Sequence, residues 1–316
     1  MENITLLGCG TIGLSFAAVH LRSSSSSIVT ILDPRPDLAT ILAPLLAVYG
    51  ASRVLIAPTL SDACTSRTHL VQESGPESVS WKTSLWAEVE GLVSAQCQLW
   101  SSTSGIPASV QGARMQRPAR LIVVHPFNPP AVMPLIEIVP GPGAEEVVVE
   151  RAREYWERVG YRPVVIREER KGFVANRLAF VMLREAVGLV QQGVVGVREV
   201  DAIVENSVGL RWGVRGPFRS YHDGGGELEN GGLRGFLEKV GGTVREVWAE
   251  GEGDLPAGWE ETVIAQTEEA YGSVTQESLD ERDRITRRVL QAIREEKEAI
   301  ELEKVERGRA QNAVVE

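Results

Sequence analysis

The stretch "ITLLGCGTIGLSFAAVHLRSSSSSIVTILD", residues 4–33, restricts the fold more than any other. The apolar residues Ile4 to Leu7 run into "GCGTIG", Leu14 to Leu21 follow at helical spacing, and a serine-rich loop leads to an aliphatic run ending at Asp33. Strand, glycine turn, helix, strand is a βαβ unit, which commits this part of the chain to a parallel sheet. Each glycine has its own task in such a turn. Gly8 permits the tight turn, Gly10 lets the backbone approach a pyrophosphate, and Gly13 lets helix pack on strand. The amides of Thr11 and Ile12 would then point at the phosphates with the helix dipole behind them. Asp33, twenty residues after Gly13, would accept hydrogen bonds from ribose hydroxyls and repel a 2′-phosphate, so the expected cofactor is NAD and not NADP. Arg35 reads as a solvated loop residue.

Further strand-like runs are "RVLIAP", "THLVQES", "CQLWSS", "RLIVVH", "LIEIV" and "RPVVIR". Beyond them the pattern changes. "KGFVANRLAFVMLREAVGLVQQGVV" has apolar residues at helical spacing, which predicts a helix over 174–195 with Gly193 as its stop. A further helix is expected around Asp201 to Val208. The tail, from about residue 278 to 307, is charge-laced with a thin stripe of Ile285, Val289, Ile293 and Ile300. "DGGGELENGG", residues 223–232, reads as a loop. The expected fold class is therefore α/β: an N-terminal Rossmann-type doubly wound sheet over residues 1–167, followed by an all-helical C-terminal domain over 168–316 for substrate and dimerisation.

Charge and composition exclude several classes. The formal net charge of −10 argues against a nucleic-acid partner or an anionic membrane surface, because both need clustered Lys and Arg. No apolar run approaches membrane-spanning length, and the first residues lack the basic region of a signal peptide. Cys9, Cys64 and Cys97 have no metal-ligand spacing; reduced structural thiols in a cytoplasmic protein are the expected reading.

"VVHPFNPPAVMPLIEIVPG", residues 123–141, raises the question of chemistry. An aliphatic strand ends at His125, and twelve residues later Glu137 interrupts another aliphatic strand. If the second strand returns beside the first, the carboxylate can bond one ring nitrogen and leave the other to take a hydroxyl proton. A core histidine with a solvated glutamate is the plainer alternative. Hydride transfer to a nicotinamide needs such a base.

"SSTS", "HPFNPP" beginning twenty-one residues after Ser104, "PLIEIVPG" and "KGFVANRL", in this order, resemble the L-3-hydroxyacyl-CoA dehydrogenase family. "HLVQESGPESVSWK" and "GLRWGVRGPF" are most similar to its lambda-crystallin branch, which includes L-gulonate 3-dehydrogenase, and to carnitine dehydrogenases. The resemblance implies His125 as general acid/base with Glu137 as its partner, Ser104 and Asn176 on the substrate oxygen, and Asn128 supporting the histidine loop. It places Glu77 and Lys82 near the nicotinamide-side ribose. Taken alone, Ser104 reads as a turn residue and Asn176 as a helix-surface amide. Ser102, counted with the cofactor-binding residues, stands where many members of the family carry Asn; the lambda-crystallin branch has Ser.

The segment between Asp33 and Val54 is short and apolar, where the acyl-CoA enzymes carry a long basic helical pair. The first lysine of the chain is Lys82, so a CoA phosphate would find little positive charge. A small free hydroxy acid, L-gulonate- or carnitine-like, is the expected substrate, with Arg211 as the candidate for its carboxylate. A 3-hydroxyacyl-CoA or carrier-bound dehydrogenase is the alternative, and a catalytically idle NAD-binding crystallin-like protein is the second. A homodimer is expected from the apolar helix and from the family.

Overall fold

β1 (Asn3–Leu7) is buried from Ile4 to Leu7 and takes partners on both sides, so the first aliphatic run becomes an inner strand. The structure, a computed structural model, describes residues 2–225, 232–250 and 276–313, with positions 258, 262, 265 and 269. Its contacts divide the chain into two units, Met1–Leu178 and Ala179–Glu316.

The first unit carries β1, α1 (Thr11–Ser23), β2 (Ile28–Leu32), α2 (Leu38–Tyr49), β3 (Val54–Ile56), α3 (Leu60–Ala63), β4 (Leu70–Glu73), α4 (Val79–Leu92), β5 (Gln98–Ser101), α5 (Ala108–Gln111), β6 (Leu121–Pro126), β7 (Leu135–Pro140), α6 (Glu146–Arg158) and β8 (Arg162–Val165). The sheet order is β3-β2-β1-β4-β5-β6-β7-β8. Every neighbouring pair is parallel except β6 with β7. The order reverses between β1 and β4, which opens a crevice at the carboxyl ends of those strands.

Helices cover both faces, and the side chains of β6 divide between them as the pleat requires. Ile122 and Val124 join Phe16, Trp100 and Trp156 in one core, whereas Leu121 and Val123 join Trp86, Leu99 and Phe173 in the other. All three cysteines are free and buried. Burial pushes their thiols up, to about 11 for Cys9 and about 12 for Cys64 and Cys97. Between Asp33 and Val54 stands only α2, which contains Pro44 and buries just Leu38 and Leu42.

α7 (Ala175–Gln191) begins in the first unit and continues into the second. Gly193, at φ +71°, bonds its amide to Val190 O, while Val194 N reaches Leu189 O, so the expected stop is a left-handed glycine closure. The helix expected around 201–208 is instead two, α8 (Val197–Glu205) and α9 (Val208–Val214). The Asn206 side chain donates to Ala202 O at 2.8 Å and the Ser207 hydroxyl to Ile203 O, which helps close α8. α10 (Pro217–Gly224), α11 (Gly232–Glu250) and a last helix, Gln276–Ala313, complete the described second unit. Asp223 and Gly224 end α10, Gly225 caps it and Gly232 begins α11; the rest of the glycine-rich segment, 226–231, lies outside the described residues. No described helix is long and apolar enough to cross a membrane.

Candidate active site

At the β1 turn the three glycines differ in what surrounds them. Gly8 has φ +94°, and a Cβ there would lie 2.7 Å from the Ser74 carbonyl oxygen, so the β4 loop presses on the turn. A Cβ on Gly13 would fall 2.1 Å from Gly8 O, whereas one on Gly10 would meet nothing within 4 Å. Close packing at the first and third glycines, with open space at the second, suits a pyrophosphate approaching the backbone. No side chain caps α1 at Gly10, so its first amides, including those of Thr11 and Ile12, are available to an anion. The residues present therefore fit a dinucleotide.

Asp33 is held in place by backbone. Its Oδ2 accepts from Cys9 N at 2.6 Å and its Oδ1 from Arg35 N at 3.0 Å. Each carboxylate oxygen has further lone-pair capacity for a ribose hydroxyl. Arg35 is not a detached loop side chain: its Nε stands 3.5 Å from Asp33 Oδ1, and its Nη1 donates to Cys9 O.

The β6–β7 register sets His125 directly opposite Glu137. Antiparallel return places both side chains on one face, with Nδ1 2.8 Å from Glu137 Oε2. Both residues are buried, at 4% and 2% exposure. The other oxygen of Glu137 accepts from Val174 N at 3.0 Å and Ala175 N at 2.9 Å, where α7 begins. Burial works against the charge on Glu137, but the hydrogen bonds from His125 and from these two amides outweigh it and hold the carboxyl below its ordinary value. The turn that aims the amides passes through Gly172 and Phe173, both at positive φ. Phe173 is fully buried, 5.2 Å ring to ring from His125, and that packing retains a backbone conformation unusual for phenylalanine. Nε2 of His125 makes no hydrogen bond to a described residue.

The "SSTS" loop follows β5 and meets two carboxylates. Ser104 N donates to Glu77 Oε1 at 2.5 Å, and Thr103 Oγ1 lies 2.8 Å from Glu77 Oε2. On the other side, Asn176 Nδ2 donates to the Ser104 carbonyl at 3.2 Å. Ser104, Asn176, Glu77, His125 and Glu137 are thus linked through one loop and the first turn of α7. Lys82 is 1% exposed and bonds Glu73 Oε1 at 2.6 Å, standing 3.6 Å from Glu77. Glu73, fully buried, also accepts from the Ser101 hydroxyl at 2.7 Å and from Gly75 N. The sequence reading passed over Glu73. Its signal was a carboxylate at the end of an aliphatic strand, the same one that exposes Glu137.

One expected residue makes no bond to this network, and another belongs to the second unit. Asn128 is exposed in the turn between β6 and β7 and makes no side-chain hydrogen bond to a described residue. Arg211 is exposed on α9, in the second unit.

Comparison with known proteins gives the family. The family model for the 3-hydroxyacyl-CoA dehydrogenase NAD binding domain matches residues 49–169, and that for the C-terminal domain matches 172–242. The first match begins after the glycine turn and Asp33. An L-carnitine dehydrogenase of Streptomyces griseus subsp. griseus is 34% identical over 92% of this chain and 90% of its own. A 3-hydroxyacyl-CoA dehydrogenase of Gibberella moniliformis is 31% identical over 84% of this chain and 81% of its own. Among solved structures, the NAD+-dependent 5-formyl-3-hydroxy-2-methylpyridine 4-carboxylic acid 5-dehydrogenase superposes with a TM-score of 0.77 at 25% identity, over 93% of this chain and 99% of that one. The chain belongs to the 3-hydroxyacyl-CoA dehydrogenase family, with the family's NAD-binding domain followed by its C-terminal domain.

Proposed function

We propose that the protein oxidises the 3-hydroxyl of a small free hydroxy acid, carnitine-like in size and charge, and that His125 and Glu137 are the acid/base pair. The observation that carries this reading is the buried pair itself, with the second oxygen of Glu137 held by two helix amides. An ionised Glu137 accepts a hydrogen bond from Nδ1–H, which keeps that proton on Nδ1 and leaves the imidazole lone pair on Nε2. Nε2 takes the substrate hydroxyl proton as the carbinol carbon loses its hydride, and Glu137 balances the imidazolium that forms. NAD+, when bound, supplies the acceptor for that hydride. In the reverse direction the imidazolium returns its proton to the ketone oxygen.

The remaining roles complete the proposal. The amides of Thr11 and Ile12, in the turn of Gly8, Gly10 and Gly13, take the pyrophosphate, and Asp33 takes the adenosine ribose. Glu77 and Lys82 border the nicotinamide-side ribose. Ser104 and Asn176 hold the reacting oxygen, Asn128 shapes the histidine loop, and Arg211 holds the substrate carboxylate. Residues 168–316 serve as the substrate and dimerisation domain, and the setting proposed is the cytoplasm, which suits three free, buried thiols.

A free acid is favoured because cations are scarce in the stretch that follows Asp33. Between residues 34 and 81 stand only Arg35, Arg53 and Arg67. Arg35 lies against Asp33, and the Arg53 guanidinium donates to the carbonyls of Leu21, Ser24 and Ser27. That leaves Arg67 for a nucleotide phosphate, where charge-assisted bonds are the strong part of recognition. The relative named L-carnitine dehydrogenase points the same way. The second reading, a thioester dehydrogenase, rests on the Gibberella moniliformis relative. NADH formation with free 3-hydroxy acids and with matched CoA thioesters decides between them. We expect higher kcat/KM for a free acid; a clear preference for the thioester overturns the substrate assignment, and no turnover with either leaves an idle NAD-binding protein. Arg211→Met should raise KM for the free acid, and an unchanged KM removes that residue.

A further inference from the structure

His20 is a titratable group buried inside the cofactor unit that the chemistry above does not use. It sits on the inner face of α1 with no exposure, between Tyr155 of α6 and Gln72 of β4. Tyr155 Oη lies 2.5 Å from His20 Nδ1, and His20 Nε2 lies 2.7 Å from Gln72 Oε1. The line continues, since Gln72 Nε2 donates to Ser102 Oγ at 2.9 Å. Four side chains from separate elements therefore form one hydrogen-bonded file, which begins in the aromatic core and ends at the loop carrying Ser104.

The file has a direction. Gln72 turns its carbonyl oxygen to His20, and that oxygen can only accept, so Nε2 carries the imidazole proton. Burial lowers His20 to about 4, with the Gln72 bond only partly opposing it, so at neutral pH the ring has one proton and Nδ1 must accept from Tyr155. At the other end the Gln72 amide nitrogen occupies a lone pair of Ser102 Oγ. The hydroxyl proton of Ser102 is then not needed inside the protein.

The position of Ser102 says where that proton can go. Ser101 pairs with Val123 in the parallel β5–β6 register, so Ser102 follows at the level of Val124, one residue before His125. Ser102 thus lies at the carboxyl edge of the sheet, the edge that also carries the glycine turn two strands over at β1, and it stands beside β6, the strand of His125. Resting on the NAD reading above, we propose that the Tyr155–His20–Gln72 file is a positioning device that presets Ser102 as a hydrogen-bond donor to the nicotinamide half of the cofactor. Ser102 is the residue that touches the cofactor; His20, Gln72 and Tyr155 act through it.

The direction of the file is open to measurement in the unmodified, ligand-free protein. The imidazole 15N spectrum of His20 should show a neutral ring protonated on Nε2, unchanged between pH 8 and pH 5. A ring protonated on Nδ1 would mean that the file runs inward and that Ser102 is an acceptor, which overturns the proposal. The second arm is NADH titration by fluorescence. Gln72→Glu keeps the shape but offers Ser102 only acceptors, which draws the hydroxyl proton inward; Ser102→Ala removes the donor. Both should weaken NADH binding by about three- to tenfold, the range of one hydrogen bond, and raise KM for NAD more than they lower kcat. Binding equal to the unmodified protein in Ser102→Ala overturns the proposal. If the unmodified protein fails to bind NADH at all, the NAD reading falls instead, and the two failures are distinguishable.

Discussion

At the residue scale, the proposed mechanism divides one task between His125 and Glu137. His125→Gln preserves much of the side-chain volume and removes the base, so turnover should fall by about a hundred- to ten-thousand-fold while NADH affinity stays near its original value. Steady-state kinetics beside a fluorescence titration checks both halves, and a variant keeping a tenth of the activity would take His125 out of the mechanism. Glu137 also has a structural signature. Its carboxyl is held below its ordinary value of 4.5, so its ionised form adds stability that is fully present above that value and is lost as the pH falls through the folded value. Thermal midpoints of the unmodified protein and of Glu137→Gln should therefore differ most near neutrality and converge as the pH drops below 4.5. A gap that stays constant over that range would mean that the charge on Glu137 does not stabilise the fold.

At the scale of elements, the pair depends on the β6–β7 register and on the start of α7. A one-residue slip in the register would carry Glu137 to the opposite face, into the core that Ile136 and Ile138 now fill, away from His125. The helix supplies the two amides that Glu137 needs. Ala175 is the first residue of α7, where proline is tolerated, and Val174 O already accepts from Leu178 N. Ala175→Pro should therefore keep the helix and delete one donor to the carboxylate. One hydrogen bond to a charged group contributes about 1.5–3 kcal/mol, and urea denaturation at neutral pH should show a loss of that order. An unchanged midpoint would mean that the amide contributes little to holding Glu137.

At the scale of the whole molecule, α7 carries large apolar side chains that remain exposed among the described residues. Leu178, Phe180, Val181 and Leu183 are all exposed on this helix. Several large exposed apolar side chains on one helix suit an interface, and a two-fold pairing of identical helices is the simplest closure. Sedimentation at micromolar concentration should report a dimer; a monomer would remove dimerisation from the role of residues 168–316. Phe180→Glu with Leu183→Glu should shift the equilibrium to monomer if this face is the contact.

Much of the molecule was legible along the chain because its signals are local. The strand, glycine turn and Asp33 fall within one βαβ unit, and the structure gives Gly8, Gly10 and Gly13 the separate surroundings their tasks require. Glu137 could be singled out because an acid inside an aliphatic strand is costly unless something pairs with it. The pairings themselves lay beyond local pattern. Nothing in "KGFVAN" announces that the amides of Val174 and Ala175 will meet a carboxylate thirty-seven and thirty-eight residues earlier. Lys82 read as a residue near the cofactor, yet its closest partner is buried Glu73. Nothing local to His20 announces that Gln72 and Tyr155 will lie on either side of it. Chain periodicity determines which residues share a face and therefore the sheet and its glycine turn. Which polar group meets which is settled only when separate elements pack, because a buried hydrogen bond depends on a few tenths of an ångström between atoms far apart in sequence.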